Sequence, residues 1–142
     1  MRVDYTTFPA SPEYLAFDGK TMWLIDESRG VERLDSAGNV VQTIPTAGTP
    51  GRPAFDGANL WVPLSNPGAG FSAIVVIRVS DGTALTTIMG NGLNAPSSAA
   101  FDGERILVTN PNTGVSIFQA ASLAPSETSR REPRTSIPAA TA

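Results

Sequence analysis

Three aspartates are the first candidates for chemistry in this chain. Asp18, Asp56 and Asp102 each stand between a Phe and a Gly, in Ala16-Phe17-Asp18-Gly19, Ala54-Phe55-Asp56-Gly57 and Ala100-Phe101-Asp102-Gly103. Three convergent carboxylates could bind a hard cation through oxygen, or divide acid and base roles between them. Their setting argues for a different job. An Asp-Gly pair between two alternating apolar runs is a hairpin turn, in which Asp accepts local backbone N–H groups and Gly supplies a positive φ. We read all three as structural.

The rest of the inventory narrows the chemistry further. The chain of 142 residues has no His and no Cys. Without His it lacks the commonest general base and metal ligand, so a Ser-His-Asp triad and a His-ligated zinc are both excluded. Without Cys it forms no disulfide and no thiolate. What remains is carboxylate and amide oxygen, Tyr, Arg, Ser and the single Lys20. Ten basic residues against 13 acidic give a net charge of -3, which is against a nucleic-acid surface. No apolar run approaches the roughly 20 residues needed to span a bilayer. Met1-Arg2-Val3-Asp4 lacks the apolar segment of a secretory signal. The expectation is a soluble chain with no signal peptide, no transmembrane segment and no nucleic-acid or membrane partner.

The elements that position these residues repeat. Phe17, Phe55 and Phe101 recur at spacings of 38 and 46 residues, each copy following a proline, Pro12, Pro50 or Pro96. Four short antiparallel strands in about 40 residues is the size of a β-propeller blade. The units run over about 12–49, 50–95 and 96–120. In the first, strands A to D are Tyr14 to Phe17, Met22 to Ile25, Val31 to Leu34 and Val40 to Ile44. The second inserts a longer B–C loop, Pro63 to Gly70, before Ala73 to Val79, the most β-branched run and the expected best-buried strand. The third gives Ala99 to Phe101, Ile106 to Thr109 and Val115 to Phe118. Val3 to Phe8 resembles Val40 to Ile44, and reads as a strand completing a blade elsewhere. Residues 121–142 are low in complexity and read as a flexible C-terminal tail; the alternative is that Thr135-Ser136-Ile137-Pro138, a weak copy of Thr43-Ile44-Pro45, supplies a fourth strand. Its Arg130, Arg131 and Arg134, interleaved with Glu127 and Glu132, read as solvated.

The fold class is therefore all-β, with three four-stranded antiparallel blades per chain. Propellers close with four to eight blades, so a homodimer completing a six-bladed ring is expected. Phe17, Phe55 and Phe101 are expected to be buried between blades. Trp23 and Trp61 hold one repeat position and are expected to pack there too, with a stacking platform for a sugar as the alternative. Function is expected on the D–A links and B–C loops, at the opposite end from the Asp-Gly turns. The links carry Glu13, Tyr14 and Arg52; the loops carry Asp26, Glu27, Arg29, Asn66, Asn110 and Asn112. Glu13, Tyr14, Asp26, Glu27, Arg52, Asn66, Asn110 and Asn112 are the candidate ligand-binding set. Glu13, Asp26 and Asn110 are the candidate oxygen ligands for a divalent cation such as calcium.

The shared pattern of Pro, apolar-Phe-Asp-Gly, apolar-Trp-Val, a polar loop ending near Asn and a Val-rich strand resembles the YVTN/NHL-type β-propeller repeats. The matches are strongest at Phe55-Asp56-Gly57-Ala58-Asn59-Leu60-Trp61-Val62 and Leu107-Val108-Thr109-Asn110. The resemblance, to the virginiamycin B lyase-like propeller superfamily, covers roughly residues 3–118. It implies a propeller, but not one activity, because propellers host enzymes, sugar binders and docking platforms. Lyases of that superfamily use a His beside a divalent metal, which this chain cannot supply. Sugar-lactonase-type relatives hold a metal with Glu, Asn and Asp oxygens instead. Two functions follow. One is a ligand- or partner-binding module using its loop face and central channel. The alternative is an oxygen-ligated metal hydrolase or lyase, lactonase-like, with its site in the channel.

Overall fold

A computed structural model describes residues 11–120. The strand expected at 3–8 and the tail expected at 121–142 lie outside the described residues. Twelve strands, all antiparallel neighbours, form three sheets among them. The first sheet holds β1 (Pro12–Phe17), β2 (Met22–Asp26), β3 (Gly30–Leu34) and β4 (Val40–Ile44) in sequence order. The second holds β5 (Thr49–Pro50), β6 (Ala54–Phe55), β7 (Asn59–Asn66), β8 (Phe71–Arg78) and β9 (Ala84–Ile88). Its β5 and β6 both pair with β7. The third holds β10 (Ser98–Phe101), β11 (Arg105–Asn110) and β12 (Gly114–Gln119). Among the described residues no helix is long and apolar enough to cross a membrane.

Each Asp-Gly turn is built in the same way. Asp18 Oδ1 accepts the N–H groups of Lys20 and Thr21 at 2.8 and 2.6 Å. Asp56 Oδ1 accepts those of Ala58 and Asn59, and Asp102 Oδ1 those of Glu104 and Arg105. The following glycines take φ of 92°, 102° and 100°, a region closed to most side chains. The second carboxylate oxygen reaches further along β2 and β7. It accepts the indole N–H of Trp23 from Asp18 and that of Trp61 from Asp56, both at 2.8 Å. In the third copy Leu107 stands where the tryptophans do, and Asp102 turns to Arg105 instead. The structural reading of the three aspartates holds, and it includes a partner that turn chemistry alone does not specify.

Two hydrophobic clusters hold the sheets together, one on each face of the middle sheet. Trp23, Ile25 and Val31 of the first sheet meet Leu60, Val62, Leu64, Ala73, Val75 and Ile77 of the second. Trp61, Ile74 and Val76 on the opposite face meet Ala99, Ile106 and Val108 of the third. Strand β8 is buried from Ala73 to Ile77 because alternate residues feed both clusters, as its β-branched composition predicts. Both tryptophans are buried between sheets, so neither offers a ring as a sugar platform.

Two expectations need correction. Much of the supposed loop from Pro63 to Gly70 is strand: β7 runs on to Asn66, and only Pro67–Ala69 forms a 3-10 turn. Pro63 lies inside that strand, where its carbonyl still accepts the Gly51 N–H. The three phenylalanines are also not equally buried. Phe55 and Phe101 are half-buried against the two clusters, whereas Phe17 is 58% exposed. Phe55 faces the first sheet and Phe101 the second, and Phe17 points the same way, off the outer face of the first sheet, where no sheet precedes it among the described residues.

Replacing Asp56 by Ala removes the acceptor of a buried indole N–H together with two backbone bonds. The expected loss is about 1–3 kcal/mol, measured by urea denaturation, and Asp102→Ala should lose less, because its Arg105 partner remains in water.

Candidate functional site

The eight candidate residues do not form one constellation. Glu13 and Tyr14 belong to strand β1, and Glu13 occupies the irregular step in its pairing with β2. Arg52 lies between β5 and β6, where its N–H donates to the Ser97 carbonyl and its own carbonyl accepts the Ala99 N–H. That exchange ties the second sheet to the third through a parallel bridge between Arg52 and Ser98. It needs Gly51 beside it, since a Cβ there would run into the Ser97 carbonyl. The Arg52 guanidinium sits 4.6 Å from the centroid of the Tyr14 ring, a cation–π contact between first and second sheets. Tyr14 and Arg52 are thus brought together as expected for one face. Glu27, Asn66 and Asn112 are exposed at loops or strand ends.

Asp26 and Asn110 are buried. Asn110 Oδ1 accepts the Asn94 N–H at 2.8 Å, and its amide nitrogen donates to Ser116 Oγ at 3.0 Å. Ser116 in turn donates to the Asn91 carbonyl. Asn110 therefore fastens the link that leads from β9 to β10. Asp26 Oδ1 accepts from the Ser28 hydroxyl and from the Ser28 and Arg29 N–H groups, shaping the β2–β3 turn. Burial pushes its carboxyl up, but the bonds from Ser28, Arg29 and the Ser11 backbone outweigh burial and hold its pKa below the ordinary value. Among the described residues no group of three or more Asp or Glu is arranged to hold a metal ion.

A cleft opens at the end of the second sheet opposite the Asp-Gly turns. It has a volume of about 520 Å³ and lies between the β7–β8 turn and the β9–β10 link. Pro67, Phe71, Met89 and Leu93 supply apolar walls, with Ser72 and Asn94 as polar groups. Among the described residues no ionisable side chain lines it. Two non-glycine residues of the link take left-handed backbone, Asn91 at φ 50° and Ala95 at φ 47°. Ala95 gains nothing from that conformation locally. It is held there by its N–H bond to Ser72 Oγ and the Asn94 anchor one residue earlier. Such strain persists only where surrounding contacts impose it. The sequence reading placed function on this type of loop and link, and named Asn66 beside the cleft, but missed Phe71, Met89 and Leu93. A cleft wall of ordinary core residue types carries no signal of its own in sequence.

The carboxylates set the acid limit of the whole assembly. At Asp18 burial raises the pKa, but the Trp23, Thr21 and Lys20 donors lower it further, so the net shift is down. Asp102 is lowered by the Arg105 and Glu104 N–H groups, and Asp81 by its bidentate Arg78. A pKa below the unfolded value of 3.8 stabilises the fold above that pH, and the contribution fades as pH falls through the folded pKa. Thermal melting should be nearly flat from neutrality to about pH 5 and drop below about pH 4. Compared with known proteins, the chain matches no family model and no curated sequence.

Proposed function

We propose that this chain is a non-catalytic binding module of the β-propeller type, whose sheets are blades and whose ligand seats in the cleft beside Phe71 and Met89. The observation that carries this reading is the position of the cleft. It is walled by one B–C turn and one D–A link, the two segment types that a propeller presents together on its binding face. An apolar floor with a few polar groups and no charge suits a small neutral ligand or a neutral side chain of a protein ligand. The metal hydrolase or lyase reading gains no support, since the polar atoms of Asn110 are engaged within the fold.

The same reading makes the assembly a two-chain, six-bladed ring. Among the described residues the first and third sheets each have one face that the middle sheet does not cover, and both faces expose apolar side chains. Leu15, Phe17, Met22 and Val41 are exposed on the first sheet, and Val115 and Ile117 on the third. Exposed apolar area of this kind marks an interaction surface, and a second copy buries both faces in closed symmetry.

A neutral-fragment screen followed by amide shifts should perturb Gly70, Ser72, Gly90 and Asn94, and Met89→Glu should abolish the response. Shifts confined to the Asp-Gly turns would overturn the site. Light scattering should give a mass near twice the 14.8 kDa of one chain; a stable single-chain mass would overturn the ring.

A further inference from the structure

The β9–β10 link turns sharply before it reaches the cleft wall. Gly90, Asn91 and Gly92 take φ of 83°, 50° and 78°, and the Leu93 N–H donates to the Gly90 carbonyl at 3.0 Å. Positive φ at both central residues makes this a type I′ turn, the form that selects Asn-Gly. Asn91 and Gly92 are both exposed. Among the described residues no backbone acceptor meets the Gly92 N–H. The turn thus places an open backbone nitrogen directly after an asparagine side chain, with no Cβ to shield it.

That pairing has its own chemistry. When base removes the Gly92 amide proton, the nitrogen can attack Asn91 Cγ. The N–Cγ bond forms, the Cγ–Nδ2 bond breaks, and ammonia leaves with the proton. Water then opens the five-membered imide at either carbonyl, giving aspartate or an isoaspartate linked through its side chain. The net exchange is water in and ammonia out, with no oxidant or cofactor. Asn-Gly occurs once in the chain. Asn66 and Asn110 precede prolines, which have no amide proton. Asn39, Asn94 and Asn112 precede Val, Ala and Thr, whose side chains crowd the nitrogen.

The fold restrains the reaction at two points. Asn91 Nδ2 donates to the Ile117 carbonyl of β12 at 3.1 Å, and the Asn91 carbonyl accepts from Ser116 Oγ at 2.7 Å. Ring closure needs the Gly92 nitrogen swung toward the side chain by rotation about the Asn91 Cα–C bond. That rotation carries the Asn91 carbonyl off Ser116 and undoes the turn. The link must open first, and local openings of this kind cost less than global unfolding.

We propose that Asn91 is a deamidation site gated by release of the β9–β10 link from Ser116 and Ile117. Its product changes the wall of the cleft. A carboxylate only accepts hydrogen bonds, so it repels the Ile117 carbonyl that Asn91 Nδ2 had served. The new charge also lies between Gly90 and Leu93, at a cleft lined by no ionisable side chain among the described residues. The modification itself is independent of any ligand in that cleft.

Incubating the full chain warm at mildly alkaline pH, with peptide mapping by mass spectrometry, tests the site. The peptide holding Asn91 should gain the mass of an amide-to-acid exchange, and split into aspartate and isoaspartate forms, well before Asn39, Asn94 or Asn112 react. Asn91 reacting no faster than those three overturns the site. Ser116→Ala frees the Asn91 carbonyl and should raise the rate at Asn91 severalfold; an unchanged rate overturns the gate. Where Ser116→Ala does not fold, the parent in unfolding urea is read instead, and a rate no higher than that of the folded chain refutes the gate. Asn91→Asp should quicken hydrogen exchange severalfold at the Ala95 amide, which is bonded to Ser72 in the parent, while the β11 amides keep their protection. Unchanged exchange at Ala95 overturns the effect on the cleft wall.

Discussion

A β-sheet with apolar residues on both faces has to be covered on both faces, and the middle sheet of this chain is built on that constraint. Strand β8 sends Ala73, Val75 and Ile77 to one side and Ile74 and Val76 to the other, all buried. Each buried aliphatic side chain contributes on the order of 1.5–3 kcal/mol relative to exposure. The first and third sheets are arranged by this requirement. They bring one face each to the middle sheet, and apolar side chains such as Phe17 and Ile117 stay exposed on the others.

The Asp-Gly turn connects this packing to the local chain. Its carboxylate closes the hairpin with one oxygen and holds an indole with the other. That second bond satisfies the donor of a tryptophan buried between sheets, and so couples turn geometry to inter-sheet packing. The third copy, with Leu107 and an Asp102–Arg105 ion pair in water, has no indole to hold. The difference falls on the sheet whose outer face is open.

The two ends of each hairpin divide the work. The turn end is repetitive, each aspartate closing its turn with two backbone N–H bonds. At the other end the repeats diverge: an acidic pair in the first sheet, an aliphatic pair in the second, and Asn110 with Ser116 in the third. The Asn110–Ser116 pair grips the β9–β10 link and so fixes the strained wall of the cleft. Variation at this end on a constant framework is how loops usually acquire function.

By itself the sequence determined the all-β class, the three hairpins, their strand boundaries to within a few residues, and the structural role of Asp18, Asp56 and Asp102. These depend on local physics: period-two alternation, Asp-Gly turn chemistry and β-branched runs are all written in consecutive residues. Tertiary structure alone decided which face each residue met. Phe17 and Phe55 have the same local context, yet one is exposed and the other packed, because burial depends on whether another sheet lies opposite. The same holds for the site. Asp26 and Asn110 read as loop ligands from composition, and are buried because strands β2 and β11 continue to them. The cleft at Phe71, Met89 and Leu93 joins residues from two segments about twenty positions apart, and adjacency of that kind is created only when the chain folds.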